Sequence, residues 1–284
     1  MQNNPEGPTA EEIQWAVAIK RAAQADEGIN ADKISDLEYL QYGIVFKSDV
    51  SKAMDRIKHM QDFKREFGIQ LDGSLEHAER DINMFYAVHP GMYLALAALP
   101  DGTHVMCSDY GQFQKVGSQE ALSIRMRGFF YHLQACQCNI SAMRAGFCSL
   151  LDFSGTVITR IPFKIQKRIF AVFSKAYPIR GRQVVMTNTS PVINFIWNIL
   201  LRRFFSKKLR ERFVICDDHT EFFATSFYTP EVLPRAWGGL FDSSEKSMKH
   251  AVRQKLEERY ALMAKFRLVL EEESTETATS VGYD

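Results

Sequence analysis

Five short apolar runs in the middle of the chain constrain its fold more than any other feature. They have the length of strands, contain few charges, and lie at residues 92–99, 104–108, 146–152, 183–188 and 212–217. Segments with the apolar period of an amphipathic helix separate the later runs, at residues 118–138, 161–177 and 191–205. Because continuous apolar strands that alternate with helices form a largely parallel sheet, the pattern predicts an α/β fold.

The flanking sequence predicts additional helical units. The turn signal "LPDG" at residues 99–102 also allows the first two runs to form a hairpin. Residues 271–284 contain five acidic and no basic residues, which predicts disorder. The predicted organisation is a flexible arm with a short helix (1–30), a helical subdomain (31–85), the α/β domain (86–242), a charged helix (243–270) and a disordered acidic tail (271–284).

A basic span without acidic residues covers residues 153–210. It contains twelve Lys or Arg residues and no Asp or Glu, although the net charge of the whole chain is only +1. The remaining sequence is therefore acidic overall. Such a separation of charge favours contact between one surface and an anionic partner, and a solvated basic face is the alternative.

The segment "SPVINFIWNILLRRFFSKKLRERF", at residues 190–213, is apolar in its first half and basic in its second half. It is consistent with a membrane anchor, a core helix or a segment that moves between protein and membrane.

The chain has no run of 18 uncharged apolar residues, so we expect no transmembrane helix. Its polar and acidic start, "MQNNPEGPTAEE", lacks the features of a secretory signal.

The cysteines and histidines do not suggest disulfides or a metal site. The five cysteines are odd in number, irregularly spaced and flanked by apolar residues, so we expect free buried thiols in a reducing compartment. The histidines are isolated and show no metal-binding spacing. We therefore expect no metal ion and no cofactor.

The sequence contains only weak candidates for catalytic residues. Cys138 and Arg144 fit the C-x5-R frame of a phosphate-binding loop, but no glycine between them frees backbone amides for an oxyanion. Asp217 and Asp218 would suit a metal ion, although a turn or a helix cap explains a single such pair better. No nucleotide-binding or nucleic-acid-binding motif occurs. The sequence thus indicates a protein without enzymatic activity and without a nucleic-acid partner.

Several motifs in order resemble the CRAL-TRIO lipid-transfer domain. "KAYPIRGRQVVMTN", "SPVINFIWNILLRRFF", "SKKLRERFVI" and "LPRAWGG" resemble its C-terminal half, and "DGTHVMCSDYGQF" and "GFCSLLDFSG" resemble earlier strands. The N-terminal stretch that begins "LEYLQYGIVFKSDV" resembles its helical subdomain. The resemblance covers residues 36–241 and is greatest to the tocopherol-transfer and retinaldehyde-binding branch.

The resemblance implies a CRAL-TRIO fold in which a mostly parallel sheet and its flanking helices form a hydrophobic pocket, next to an N-terminal helical subdomain. One hydrophobic ligand would lie in this pocket under a gate helix that swings aside at a membrane. The implied ligand-binding residues are Phe147, Leu151, Ile169, Val172, Phe173, Tyr177 and Val184. The gate residues expected to face the ligand or acyl chains, with ordinary core packing as the alternative, are Ile193, Ile196, Trp197 and Leu200.

Basic residues near the gate match positions that bind a phosphoinositide headgroup in this branch. They are Arg180, Arg182 and Lys208. The expected protein is a monomeric cytoplasmic carrier for a tocopherol-like, retinoid-like or phospholipid ligand that associates transiently with anionic, phosphoinositide-containing membranes. The alternatives are a phosphoinositide-dependent recruitment or protein-interaction module without net transport, and an enzyme that acts on lipid.

Overall fold

The centre of the protein is a mixed five-stranded sheet in the order β1–β2–β3–β4–β5. The computed structural model describes residues 7–70, 73–112, 118–156, 167–169, 171–195, 198, 207–216 and 228–268. In these residues the strands are β1 (Met92–Leu94), β2 (His104–Asp109), β3 (Phe147–Asp152), β4 (Gly181–Thr187) and β5 (Phe213–Ile215). β1 and β2 form the predicted antiparallel hairpin, and the other neighbouring strands are parallel, which confirms the α/β prediction.

Helices surround this sheet. They are α1 (Ala10–Ala25), α2 (Asp36–Phe46), α3 (Val50–Phe67), α4 (Leu75–Val88), α5 (Gln119–Ala135), α6 (Ile140–Ala145), α7 (Pro191–Phe195), α8 (Lys207–Arg210) and α9 (Glu245–Lys265). Residues Val172–Ala176 form a π-helical turn before β4. The predicted helix at 118–138 corresponds to α5, and Asn139 caps the separate helix α6 that follows it.

The helical subdomain follows its local sequence signals closely. Capping boxes start α1 at Thr9 and α2 at Ser35, and Asp49 caps α3. Gly68 ends α3 with a φ of 63°, a left-handed conformation that costs glycine little. These short-range signals set where α1, α2 and α3 begin and where α3 ends.

The N-terminal arm differs from the expectation that it is loose. α1 packs against α2, and Ala16 and Ile19 are fully buried in the contact. Gly43 of α2 allows this close approach, because a Cβ atom there would lie 3.0 Å from the backbone nitrogen of Ala16. Residues 10–25 are therefore part of the helical subdomain, whereas the predicted tail at 271–284 lies outside the described residues.

A buried hydrogen-bond network joins the helical subdomain, the sheet region and the C-terminal helix. Arg259 of α9 is only 1% exposed and donates to the Gln137 carbonyl and the Gln41 Oε1 atom, both at 2.7 Å. Gln41 of α2 in turn donates to the carbonyl of Pro178 at 2.9 Å. Since buried polar groups need partners, this network fixes the position of α9 on the rest of the fold.

The long apolar strands β2 and β3 are buried along almost their whole length, as expected for strands covered on both faces. All five cysteines are buried and none forms a disulfide. Among the described helices, none combines the length and the apolar character needed to cross a membrane.

Candidate functional site

A cavity of about 150 Å³ lies on one face of the sheet. Side chains of a strand alternate between its two faces, so every second residue of β2 and β3 reaches the cavity. Met106 and Ser108 line it from β2, and Phe147, Ser149 and Leu151 line it from β3. The remaining lining residues of the sheet region are Met92, Gly181, Gln183, Val184, Arg212 and Phe213.

Three phenylalanine rings meet in the cavity wall, one from the sheet and two from the elements that pack on it. Phe173 of the π-helical turn stacks on Phe147 of β3 with ring centroids 5.1 Å apart and an interplanar angle of 16°. Phe129 of α5 meets the edge of Phe173 at 5.4 Å. These contacts connect a strand, a turn and a helix around one apolar space. Pockets that bind hydrophobic ligands are typically lined in this way by apolar and aromatic side chains.

The cavity also has a polar end formed by α4 and α5. Arg125 of α5 is 3% exposed, and its Nη2 atom donates to the carbonyl of Val88, the last residue of α4, at 3.0 Å. His89 follows α4 and is also buried, with its ring edge-on to Phe85 at 5.1 Å between centroids.

Burial determines the charge states at this polar end. It lowers the pKa of Arg125 to about 10, so the guanidinium remains charged at neutral pH. Burial, with a smaller contribution from the charge of Arg125, holds the pKa of His89 well below its usual value. The imidazole of His89 is therefore neutral, and Arg125 is the charged group at this end of the cavity.

The predicted ligand-binding residues divide into two groups. Phe147, Leu151, Ile169, Phe173 and Val184 all line the cavity. Val172 and Tyr177 are buried in the main hydrophobic core and are not among the lining residues. Contact with a ligand stays a prediction for all seven residues.

The predicted gate is described only at its start. Ile193 is buried in a small cluster with Tyr110, Phe153 and Met186, beside the cavity residues Leu151 and Phe213. On the same helix, Val192 is 54% exposed and Phe195 is 59% exposed. The predicted gate residues Ile196, Trp197 and Leu200 lie outside the described residues.

The predicted phosphoinositide residues have different environments. The Arg180 guanidinium donates to the carbonyls of Ile44 and Arg144, and burial lowers its pKa. Arg182 is exposed and pairs with Asp101 at 3.0 Å between Nη2 and Oδ2. The Lys208 side chain lies outside the described part. Arg180 thus holds β4 against the helical subdomain, while Arg182 remains on the surface.

Several residues of the cavity were missed at the sequence level. Phe85 and His89 are four residues apart on or next to α4, and Arg125 and Phe129 have the same spacing on α5. This i, i+4 spacing places each pair on one helix face, which is the signal that was available. Nothing in the sequence shows that the two faces line the same cavity.

The weak catalytic candidates lie in structural positions. Burial raises the pKa of Cys138 to about 12, so its thiol is protonated at neutral pH. Arg144 pairs with Glu12 of α1. Asp217 and Asp218 lie outside the described residues, and the described residues contain no group of three His, Cys, Asp or Glu side chains suited to a metal ion.

Comparison with known proteins identifies the central region. Residues 100–239 match the family described as CRAL/TRIO domain. No curated protein matches the sequence. Among solved structures, the one titled "Crystal structure of Sfh5" is similar, with 14% identity and a TM-score of 0.48, over 79% of this chain and 83% of that chain. The family match supports a role in lipid binding or transfer. Residues 100–239, which contain strands β2 to β5, therefore have the CRAL/TRIO fold.

Proposed function

We propose that this protein is a carrier that binds one hydrophobic ligand in the cavity and exchanges it at anionic, phosphoinositide-containing membranes. The ligand classes we consider are tocopherol-like, retinoid-like and phospholipid molecules. The observation that carries this proposal is the apolar cavity enclosed by Phe129, Phe147 and Phe173 over the sheet face.

The hydrophobic effect supplies the binding free energy. Apolar ligand surface that leaves water contributes about 25 cal/mol per Å², and aromatic walls add contact with ring-shaped groups. An apolar cavity of about 150 Å³ holds a ligand on the order of one benzene ring. A larger lipid would therefore place one group in the cavity and extend past its walls, or displace side chains.

The segment that begins with α7 would act as the gate. Val192 and Phe195 expose apolar side chains to water, whereas Ile193 on the same helix is buried next to cavity residues. A membrane interface would cover the two exposed side chains. The basic residues that follow in sequence would add roughly 1 kcal/mol each near an anionic surface.

Arg182 is the best-supported docking residue for a phosphoinositide. Its ion pair with Asp101 is exposed, so this contact contributes little stability and a phosphate group can compete for the guanidinium. Arg180 donates to two backbone carbonyls and would act mainly through its charge. Lys208 completes the proposed docking set.

Ligand extraction and transfer test the carrier. The purified chain should retain a hydrophobic ligand in native mass spectrometry and move it between vesicles. Leu151→Trp, at a half-buried residue of the cavity wall, should reduce ligand occupancy at least about tenfold. The matched control Leu240→Trp changes an exposed leucine and should retain the ligand. Equal occupancy in both variants, or no ligand in the parent chain, would overturn the carrier.

A recruitment module without net transport is the second candidate. The small size of the cavity and the exposed Arg182 favour it. Vesicle binding that needs Arg182 but moves no lipid would support this candidate over the carrier. We also propose that the ligand is released chemically unchanged, and the appearance of any lipid product on incubation with pure protein would refute this.

A further inference from the structure

We propose that the cavity selects a hydrophobic ligand with a carboxylate head group, and that Arg125 binds this carboxylate. The inference rests on the proposed function, since it specifies the ligand of the same cavity. It concerns the polar end formed by α4 and α5, for which no site residue was predicted from the sequence.

The charged side chains of the described cavity wall are all basic. Among the described residues that line the cavity, two are arginines, Arg125 and Arg212, and none is Asp or Glu. Arg125 is 3% exposed and shares the wall with Phe85, Phe129 and Met92. A cation in such surroundings has lost most of its hydration, which makes a nearby anion strongly favourable.

The guanidinium is held in place before any ligand arrives. Its Nη2 atom donates to the Val88 carbonyl at 3.0 Å, at the C-terminus of α4, where the helix dipole favours a positive charge. Guanidinium presents five N–H donors in a rigid plane that matches the two oxygens of a carboxylate. A fixed donor set loses little entropy when the carboxylate binds.

The charge at this end fits a monoanion better than a phosphate monoester. His89 next to Arg125 is neutral, because burial holds its pKa well below the usual value. Arg212 precedes β5, at the opposite edge of the sheet from β1, which His89 precedes. One guanidinium balances one carboxylate, whereas a dianionic phosphate would leave buried charge unbalanced.

A competition experiment with the full chain tests the selection. The protein is incubated with an equimolar mixture of oleic acid and oleyl alcohol, and the bound molecules are extracted and quantified. The acid should be enriched about 10- to 100-fold, because hydrogen bonds to charged groups contribute about 1.5–3 kcal/mol. Arg125→Gln should abolish the enrichment but retain the alcohol, and the exposed-site control Arg65→Gln on α3 should leave the enrichment unchanged.

Each other outcome has a defined meaning. Equal binding of acid and alcohol by the parent chain overturns the inference but leaves the carrier intact, and this comparison needs no variant. If neither binds and no other lipid is retained, the proposed function itself fails. A preference for lysophosphatidic acid over oleic acid overturns the assignment of a carboxylate. If Arg125→Gln fails to fold, Arg125→Lys should show weakened enrichment, and full enrichment in that variant counts against a guanidinium–carboxylate contact.

Discussion

Arg144 of α6 forms an ion pair with Glu12 of α1, with 2.6 Å between Nη2 and Oε2, and both side chains are largely buried. Burial acts to raise the pKa of Glu12, but the hydrogen bond and charge of Arg144 outweigh it and leave the pKa below its ordinary value. This contact ties α1 to α6, the helix that precedes β3.

The Glu12–Arg144 pair predicts acid sensitivity of α1. Because the pKa of Glu12 is lowered in the folded state, the stabilisation is present above the ordinary glutamate pKa of about 4.3 and is lost as pH falls below it. Glu12→Gln should lower the free energy of unfolding by about 1–3 kcal/mol at pH 7. Melting temperatures from pH 7 to pH 3 should converge for parent and variant, and a constant difference would contradict this.

Gly128→Ala should destabilise the contact between α4 and α5. A Cβ atom at Gly128 would lie 2.3 Å from the ring of Phe85, which cannot move without disturbing the cavity wall. We expect a loss of about 1–3 kcal/mol, despite the higher helix propensity of alanine. Urea unfolding measures it. Gln119→Ala, at an exposed position of the same helix, is the control, and equal stabilities would show that the packing adapts.

Arg259→Met should destabilise the protein strongly because it leaves the Gln137 carbonyl and the Gln41 side chain without their buried donor. The expected loss is about 3–5 kcal/mol, as for the removal of one partner from a buried charged network. Arg253→Met on the exposed side of α9 removes surface ion pairs and should cost under about 1 kcal/mol. Chemical denaturation of both variants would reveal similar losses if the network contributes nothing.

The buried thiols should react slowly. Burial raises the pKa of Cys138 to about 12 and raises the pKa of Cys148, so few thiolates exist at pH 7.5. In native conditions, iodoacetamide should modify these cysteines at least about tenfold more slowly than in urea. Mass spectrometry of tryptic peptides measures the rates, and rapid native modification of Cys138 would indicate an accessible thiolate.

The sequence predicted the elements whose signals are local. The apolar runs at residues 104–108 and 146–152 predicted β2 and β3, because strands buried on both faces are continuously apolar. Family motifs placed Phe147, Phe173 and Val184 in the region of the cavity wall. These predictions required only neighbouring residues or a known order of motifs.

Contacts between residues distant in sequence were not predicted. Arg180 was predicted to bind a phosphoinositide headgroup, and no local signal indicated that its guanidinium donates to the Ile44 carbonyl of α2, a partner 136 residues away in sequence. Arg125 was not singled out because its significance depends on a cavity built from α4, α5 and all five strands of the sheet. Likewise, the small residue Gly43 gave no local sign that α1 packs against it.

The Gln41–Arg259 hydrogen bond links residues 218 positions apart, so its order of formation during protein synthesis is fixed. Gln41 emerges from the ribosome early, whereas Arg259 emerges only after the whole sheet has been translated. Until then the carbonyl of Gln137 also lacks the donor that it has in the finished fold. The docking of α9 therefore completes this network at the end of biosynthesis, and a chain that stops before α9 should expose Gln41 and the Gln137 carbonyl.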